Sequence, residues 1–181
     1  MPPKNTIESQ AVAIAGLGAE YCSIVASCSG RTTREFCGDM LRYLPRIYIT
    51  ISDLTYSFDG TGVQGMDNGA IYSGMDEETY NQARCAMEAT LGEHDMYLDT
   101  PADAMQYSDT PVAVSLSEKL ADIYQEMYNM ADTVRQAPQH AWTDVMEDLK
   151  YRFDSYLSET ICDAMRAANF IYRKGLEEQA I

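Results

Sequence analysis

The sequence holds no run of about 18 apolar residues, the length a helix needs to cross a bilayer, so no membrane span is expected. Its start, Met1-Pro2-Pro3-Lys4-Asn5-Thr6, has no long apolar run behind it, and no secretory leader is expected either. Cations are scarce: 13 Lys and Arg stand against 28 Asp and Glu, for a formal net charge of -15. That charge repels phosphate backbones and anionic lipid surfaces, which argues against nucleic acid and membrane partners. A basic protein partner, a cation or a neutral ligand suits it better. The five cysteines, Cys22, Cys28, Cys37, Cys85 and Cys162, are odd in number and scattered, with no C-x-x-C. They read as free thiols in a reducing cytosol, so a cytoplasmic location is expected. Missing too are a Gly-x-Ser-x-Gly, a glycine loop leading into Gly-Lys-Ser/Thr and a dinucleotide fingerprint. No complete catalytic constellation is legible.

What is present is apolar residue spacing of three and four. The 181 residues suit one domain, 46% of them are hydrophobic, and 13 are tyrosines, whose apolar body and polar tip suit half-buried helix faces. Ile7, Ala11, Ile14, Leu17, Tyr21, Ile24 and Cys28 predict a helix over 6–29 that ends at Gly30. Phe36, Met40, Leu44, Ile47, Ile51, Leu54 and Phe58 predict a second over 34–58, capped by Thr33 and kinked at Pro45, where a hydrogen bond is lost. Glycines and turn formers mark 59–75 as a long loop. Asp76 caps a third helix that carries Tyr80, Ala83, Met87, Leu91 and Leu98 on one side. After a loop over 99–109, Thr110-Pro111 reads as a cap with an N1 proline for a fourth helix, which ends before Pro138. A long last helix runs from about Gln139 to Gly175, with Trp142, Val145, Leu149, Phe153, Tyr156, Ile161, Met165, Ala168 and Tyr172 inward. Nothing alternates with period two for long. The expected fold is all-α, an antiparallel bundle of about five helices in a single domain over 1–181.

Three patches carry candidate chemistry. His94 lies in Leu91-Gly92-Glu93-His94-Asp95, and on a continuing helix it shares the face of Tyr80, Met87, Leu91 and Leu98. An inward histidine beside carboxylates serves as a general base or metal ligand, or as a hydrogen-bonded core histidine that ties helices together. Glu118, Asp122 and Glu126 are spaced by four along the fourth helix, and Asp144, Glu147 and Asp148 cluster on the fifth. Acidic groups on facing helices hold magnesium in helical nucleotide hydrolases, whereas a solvated face needs no ligand. The Glu-x-x-His pattern of di-iron bundles is absent. The third patch is basic: Arg31, Arg34, Arg42 and Arg46 are four of nine arginines and fall within roughly 120° of one another on a helix. They make an exposed stripe that balances acidic neighbours, or a docking face for an anion or carboxylate. His140, at the start of the last helix, reads as a surface residue.

Leu91-Gly92-Glu93-His94-Asp95, Met105-Gln106-Tyr107-Ser108-Asp109, Pro111-Val112, Ser115-Leu116-Ser117-Glu118 and Leu120-Ala121-Asp122-Ile123-Tyr124-Gln125 together resemble the bacterial domain-of-unknown-function family 5063. The resemblance implies an all-helical bacterial cytosolic domain and carries no catalytic residues over. The residues that carry it include Glu93, His94, Asp95, Tyr107, Asp109, Glu118 and Asp122. If the bundle has a site, the place to look is where the third helix, the 99–109 loop and the start of the fourth helix meet. The leading expectation is a non-enzymatic binding or adaptor domain with a protein partner and no cofactor. Its alternatives are a metal-dependent hydrolase of a nucleotide or small phosphate, holding a divalent metal, and a structural subunit of a homo-oligomer.

Overall fold

The computed structural model describes residues 7–54, 74–100 and 110–177. Among these, α1 spans Ile7–Ala26, α2 Thr33–Ser52 and α3 Glu77–Leu91. A two-stranded hairpin, β1 Met96–Asp99 with β2 Val112–Ser115, precedes α4 Leu116–Gln136, α5 His140–Arg152 and α6 Ser158–Glu177. The fold is an all-α helical bundle with one small antiparallel ribbon. The loop expected over 59–75 lies outside the described residues except at its last two positions, and most of the loop expected over 99–109 lies outside them too.

α2 carries the clearest pattern into the core. Phe36, Met40, Leu44, Ile47 and Ile51 are all fully buried, with Cys37 beside them. The helix runs through Pro45 without a break, although the proline leaves the Leu41 carbonyl without its usual partner. It ends at Ser52, short of residue 58. Its start differs from expectation by one residue: Thr32 is the N-cap, in a reciprocal capping box with Glu35. α1 ends at Ala26, and Cys28–Gly30 form a short 3-10 turn instead of a last α turn. α1 is also the one described helix long and apolar enough to cross a membrane, at a mean hydropathy of 1.2 over Glu8–Ala26, which revises the reading that no such stretch occurs. It packs on α4, and Tyr21, buried like Ile14 and Leu17, donates its hydroxyl to the Leu120 carbonyl at 3.1 Å.

Two local decisions depart from the sequence reading. The third helix stops at Leu91, because Gly92 takes φ 57°, ψ -129°, a conformation that L side chains rarely adopt. The chain then turns through Gly92–His94 into β1, so Leu98 leaves the inner face and is 70% exposed. Correspondingly, Thr110-Pro111 precedes a strand rather than a helix, and the cap of α4 is Ser115, whose Oγ accepts from Glu118 N at 3.1 Å. The second departure lies in the last helix. It is continuous from α5 to α6, but Phe153–Leu157 form a π segment. The wider turn shifts the phase, so Leu157, Ala164 and Ile171 are buried while Tyr156 is 42% exposed. The helix also continues past Gly175 to Glu177.

Candidate functional site

Among the described residues, the acidic candidates do not gather into one site. Glu93 faces solvent, and its carboxylate is 3.9 Å from His94 Nε2. Asp95 is the buried member, 4% exposed. Its Oδ1 accepts from Ser117 N at 2.7 Å, its Oδ2 from Ser115 Oγ at 2.9 Å, and its carbonyl from Leu116 N at 2.9 Å. Asp95 thus staples the end of α3 to the start of α4 inside a closed, hydrogen-bonded corner. Glu118 is exposed, and Asp122, half-buried, accepts from Tyr80 Oη at 2.8 Å. Tyr107 and Asp109 lie outside the described residues, as does the side chain of His140. Among the described residues no group of three or more His, Cys, Asp or Glu is placed to hold a metal ion.

His94 turns the other way, toward the arginines. It lines an open cleft of about 1050 Å³ between the start of α2 and the end of α6. Arg31, Arg34 and Arg42 line the same cleft, and α6 adds Lys174. Two carboxylates, Glu35 and Asp39, sit among these four permanent cations, while Leu41 and Ile171 supply apolar wall. The fourth arginine of the stripe, Arg46, lies elsewhere: its guanidinium stacks on Tyr43 at 5.1 Å and faces Glu20 at 3.6 Å. So three arginines of the basic stripe and His94, legible separately in the sequence, line one concavity.

Each cleft residue is held by local structure. Arg31 Nη1 donates to the Ile24 carbonyl at 3.0 Å and to Ser27 Oγ at 2.7 Å, and its Nε pairs with Asp39 at 2.9 Å. It fixes the turn between α1 and α2. Arg42 reaches Asp39 at 3.5 Å with most of its side chain in solvent. Arg34 lies over the Tyr172 ring, 5.4 Å from its centroid. Gly38 makes room for that ring, since a Cβ there would stand 3.2 Å from Tyr172 Cε2. Glu35 accepts from Thr32 N at 2.9 Å and from Thr32 Oγ1 at 2.8 Å. Those hydrogen bonds, the backbone one foremost, hold its carboxyl below the usual range, so it stays negative at neutral pH.

A second polar cluster escaped the sequence reading. Glu126, expected either in a metal-holding stripe or on a solvated face, is only 6% exposed. Arg152 Nη1 contacts both its oxygens, at 2.8 and 3.1 Å, and Tyr156 Oη donates to it at 3.0 Å. Burial, then the charge of Glu126, pushes the Tyr156 phenol up to about 12. Arg152 also pairs with Asp148 at 2.6 Å, as the spacing of four predicts. The sequence signal was the position of Glu126 between Ile123, Met127 and Met130, all buried.

Residues 5–174 match the family described as Domain of unknown function (DUF5063). The chain belongs to the DUF5063 family. The crystal structure of protein BF1032 from Bacteroides fragilis is similar in fold, with a TM-score of 0.71 over 93% of this chain and 92% of that one, at 21% sequence identity. A search of curated proteins finds no match. The DUF5063 assignment and the likeness to BF1032 speak to fold, and the chemistry has to be read from the cleft.

Proposed function

We propose that this DUF5063 domain is a non-enzymatic binding module that docks an acidic segment of a protein partner in the α2–α6 cleft. One observation carries the reading: on a chain of net charge -15, Arg31, Arg34, Arg42, Lys174 and His94 line a single concavity of about 1050 Å³. The acidic remainder of the surface repels an acidic partner everywhere else, so the cleft sets both the place and the orientation of docking. Arginine suits the role, because its planar guanidinium takes a carboxylate through paired hydrogen bonds. The hydrolase alternative draws no comparable support, since Asp95 is committed to the α4 corner and Glu93 and Glu118 face water.

Fluorescence anisotropy with a dye-labelled, glutamate-rich peptide tests the proposal. Binding is expected to saturate, to weaken steeply with added salt, and to fall on charge reversal of Arg42 to Glu. A peptide that fails to bind at low salt, together with a host-lysate pull-down indifferent to Arg42→Glu, overturns it.

A further inference from the structure

On the docking role proposed above, on which this inference rests, the charge of the α2–α6 cleft sets its affinity. Among the residues that line the cleft, four permanent cations, Arg31, Arg34, Arg42 and Lys174, stand with two carboxylates, Glu35 and Asp39, a surplus of two positive charges. That surplus is partly engaged already. Arg31 pairs with Asp39 at 2.9 Å and donates to the Ile24 carbonyl and Ser27 Oγ, and Arg34 lies over the Tyr172 ring. A third positive charge is therefore a large increment. His94 is the lining group that can supply it near neutral pH, because an imidazole takes up its proton around pH 6.5, while Arg and Lys stay charged and carboxylates titrate about two units lower. The hydrogen bonds from Thr32 hold Glu35 lower still.

The backbone at His94 is pinned on both sides. Gly92, at φ 57°, turns the chain before it, and Asp95, directly after it, is fixed by Ser115, Ser117 and the Leu116 amide. The His94 side chain is 31% exposed, so it exchanges protons with solvent. Its neighbour in the turn, Glu93, is 88% exposed, with a carboxylate 3.9 Å from Nε2 and beyond hydrogen-bond distance. Water screens that pair, which leaves the imidazolium charge for a ligand. The other charged groups that share the cleft with His94 come from its two walls: the arginines and carboxylates at the start of α2, and Lys174 on α6.

We infer that the cleft is a proton-linked site: His94 takes up a proton as an acidic segment docks, and affinity rises as the solution turns mildly acidic. The linkage is reciprocal. A segment that favours the charged imidazole is itself held more tightly where the imidazole is charged, so the gain is full below the histidine range and lost as pH rises through it. Protonation of the segment's own carboxylates acts in the opposite direction, so the sign of the pH dependence separates the two.

The test measures anisotropy of a glutamate-rich peptide with a pH-insensitive dye on the full chain, at about pH 5.5 and about pH 7.5 and constant ionic strength, on either side of the histidine range. Affinity is expected to be about threefold to fivefold higher at the lower pH, the upper end of what one partly exposed ion pair contributes. His94→Gln, neutral and similar in size, should show the weaker affinity at both pH values and His94→Lys the tighter one. His140→Gln should keep the dependence of the parent. Thermal unfolding run alongside verifies each fold. Calorimetry on the parent near pH 6.5, in two buffers of different ionisation enthalpy, should show net proton uptake on binding and needs no variant. Binding that is flat in pH, weaker in acid or free of proton uptake overturns the proton link while leaving the docking role standing. A rise in affinity that survives His94→Gln overturns the assignment to His94. A peptide that binds at neither pH overturns both.

Discussion

Arg152 shows how much one side chain decides. Glu126 is an acid on a buried face, and leaving it charged there without a partner costs several kcal/mol. Arg152 supplies the counter-charge and Tyr156 a hydroxyl. Removing the guanidinium by Arg152→Ala strands the carboxylate. Because Arg152 itself is partly solvated, the expected loss is about 2 kcal/mol, or roughly 4–8 °C in Tm for a chain of this size. An unchanged melting curve would mean that water already satisfies Glu126. Thiols give a second residue-scale expectation. All five cysteines are free, and burial pushes the Cys22 and Cys37 thiols up to about 12. At about pH 8 a maleimide should modify exposed Cys85 within minutes and leave Cys22 and Cys37 untouched until denaturant is added. Exposed Cys162 should lag Cys85, since partial burial and then Asp163 and Glu159 raise its thiol. Peptide mapping after labelling reads the order directly.

At the scale of elements, glycine and the π segment redirect helices that periodicity alone would continue. A helical reading carried α3 past Gly92 and so put His94 on the core face. With φ at 57°, Gly92 instead ends the helix and swings His94 into the arginine cleft. Gly92→Ala should cost about 1–2 kcal/mol by chemical denaturation, because an L side chain is strained in that backbone region. It should also weaken acidic-peptide binding if His94 contributes to the cleft. A variant as stable as the parent would remove the backbone explanation for the helix end. The glycine was visible in the sequence; its left-handed conformation was not, since an isolated glycine inside an apolar pattern is also compatible with an unbroken helix. The π segment hid in the same way. The stripe Phe153, Tyr156, Ile161 contains a step of five, which in hindsight marks the wider turn, and Leu157 takes the buried place that a regular helix gave to Tyr156.

For the whole molecule, charge dominates the response to conditions. Asp99 is 4% exposed, yet its carboxyl is held below the usual range: burial pushes it up, and the hydrogen bond from Arg166 and the Thr100 amide outweigh burial. A depressed folded value means that the stabilisation is present above the unfolded value, near pH 4, and is lost as pH falls through the folded one. Asp99→Asn should therefore be less stable than the parent at neutral pH, with the gap closing in acid. Urea midpoints measured from about pH 7 down to about pH 3 check this. A constant gap across that range would locate the contribution elsewhere.

Periodicity by itself determined that the chain is mostly helical and which face of α2 enters the core, and residue spacing showed separately a basic stripe, a histidine beside carboxylates and an acidic fourth helix. These follow from spacing along one chain, because a helix turns by a fixed angle per residue and must bury its apolar side. Only the tertiary structure decided which of those groups meet. Lys174 and Tyr172 reach the arginines because α6 packs beside α2, and Asp95 leaves the candidate site because Ser115 and Ser117 claim it. Such meetings depend on contacts between residues distant in sequence, and residue spacing along one chain carries no record of them.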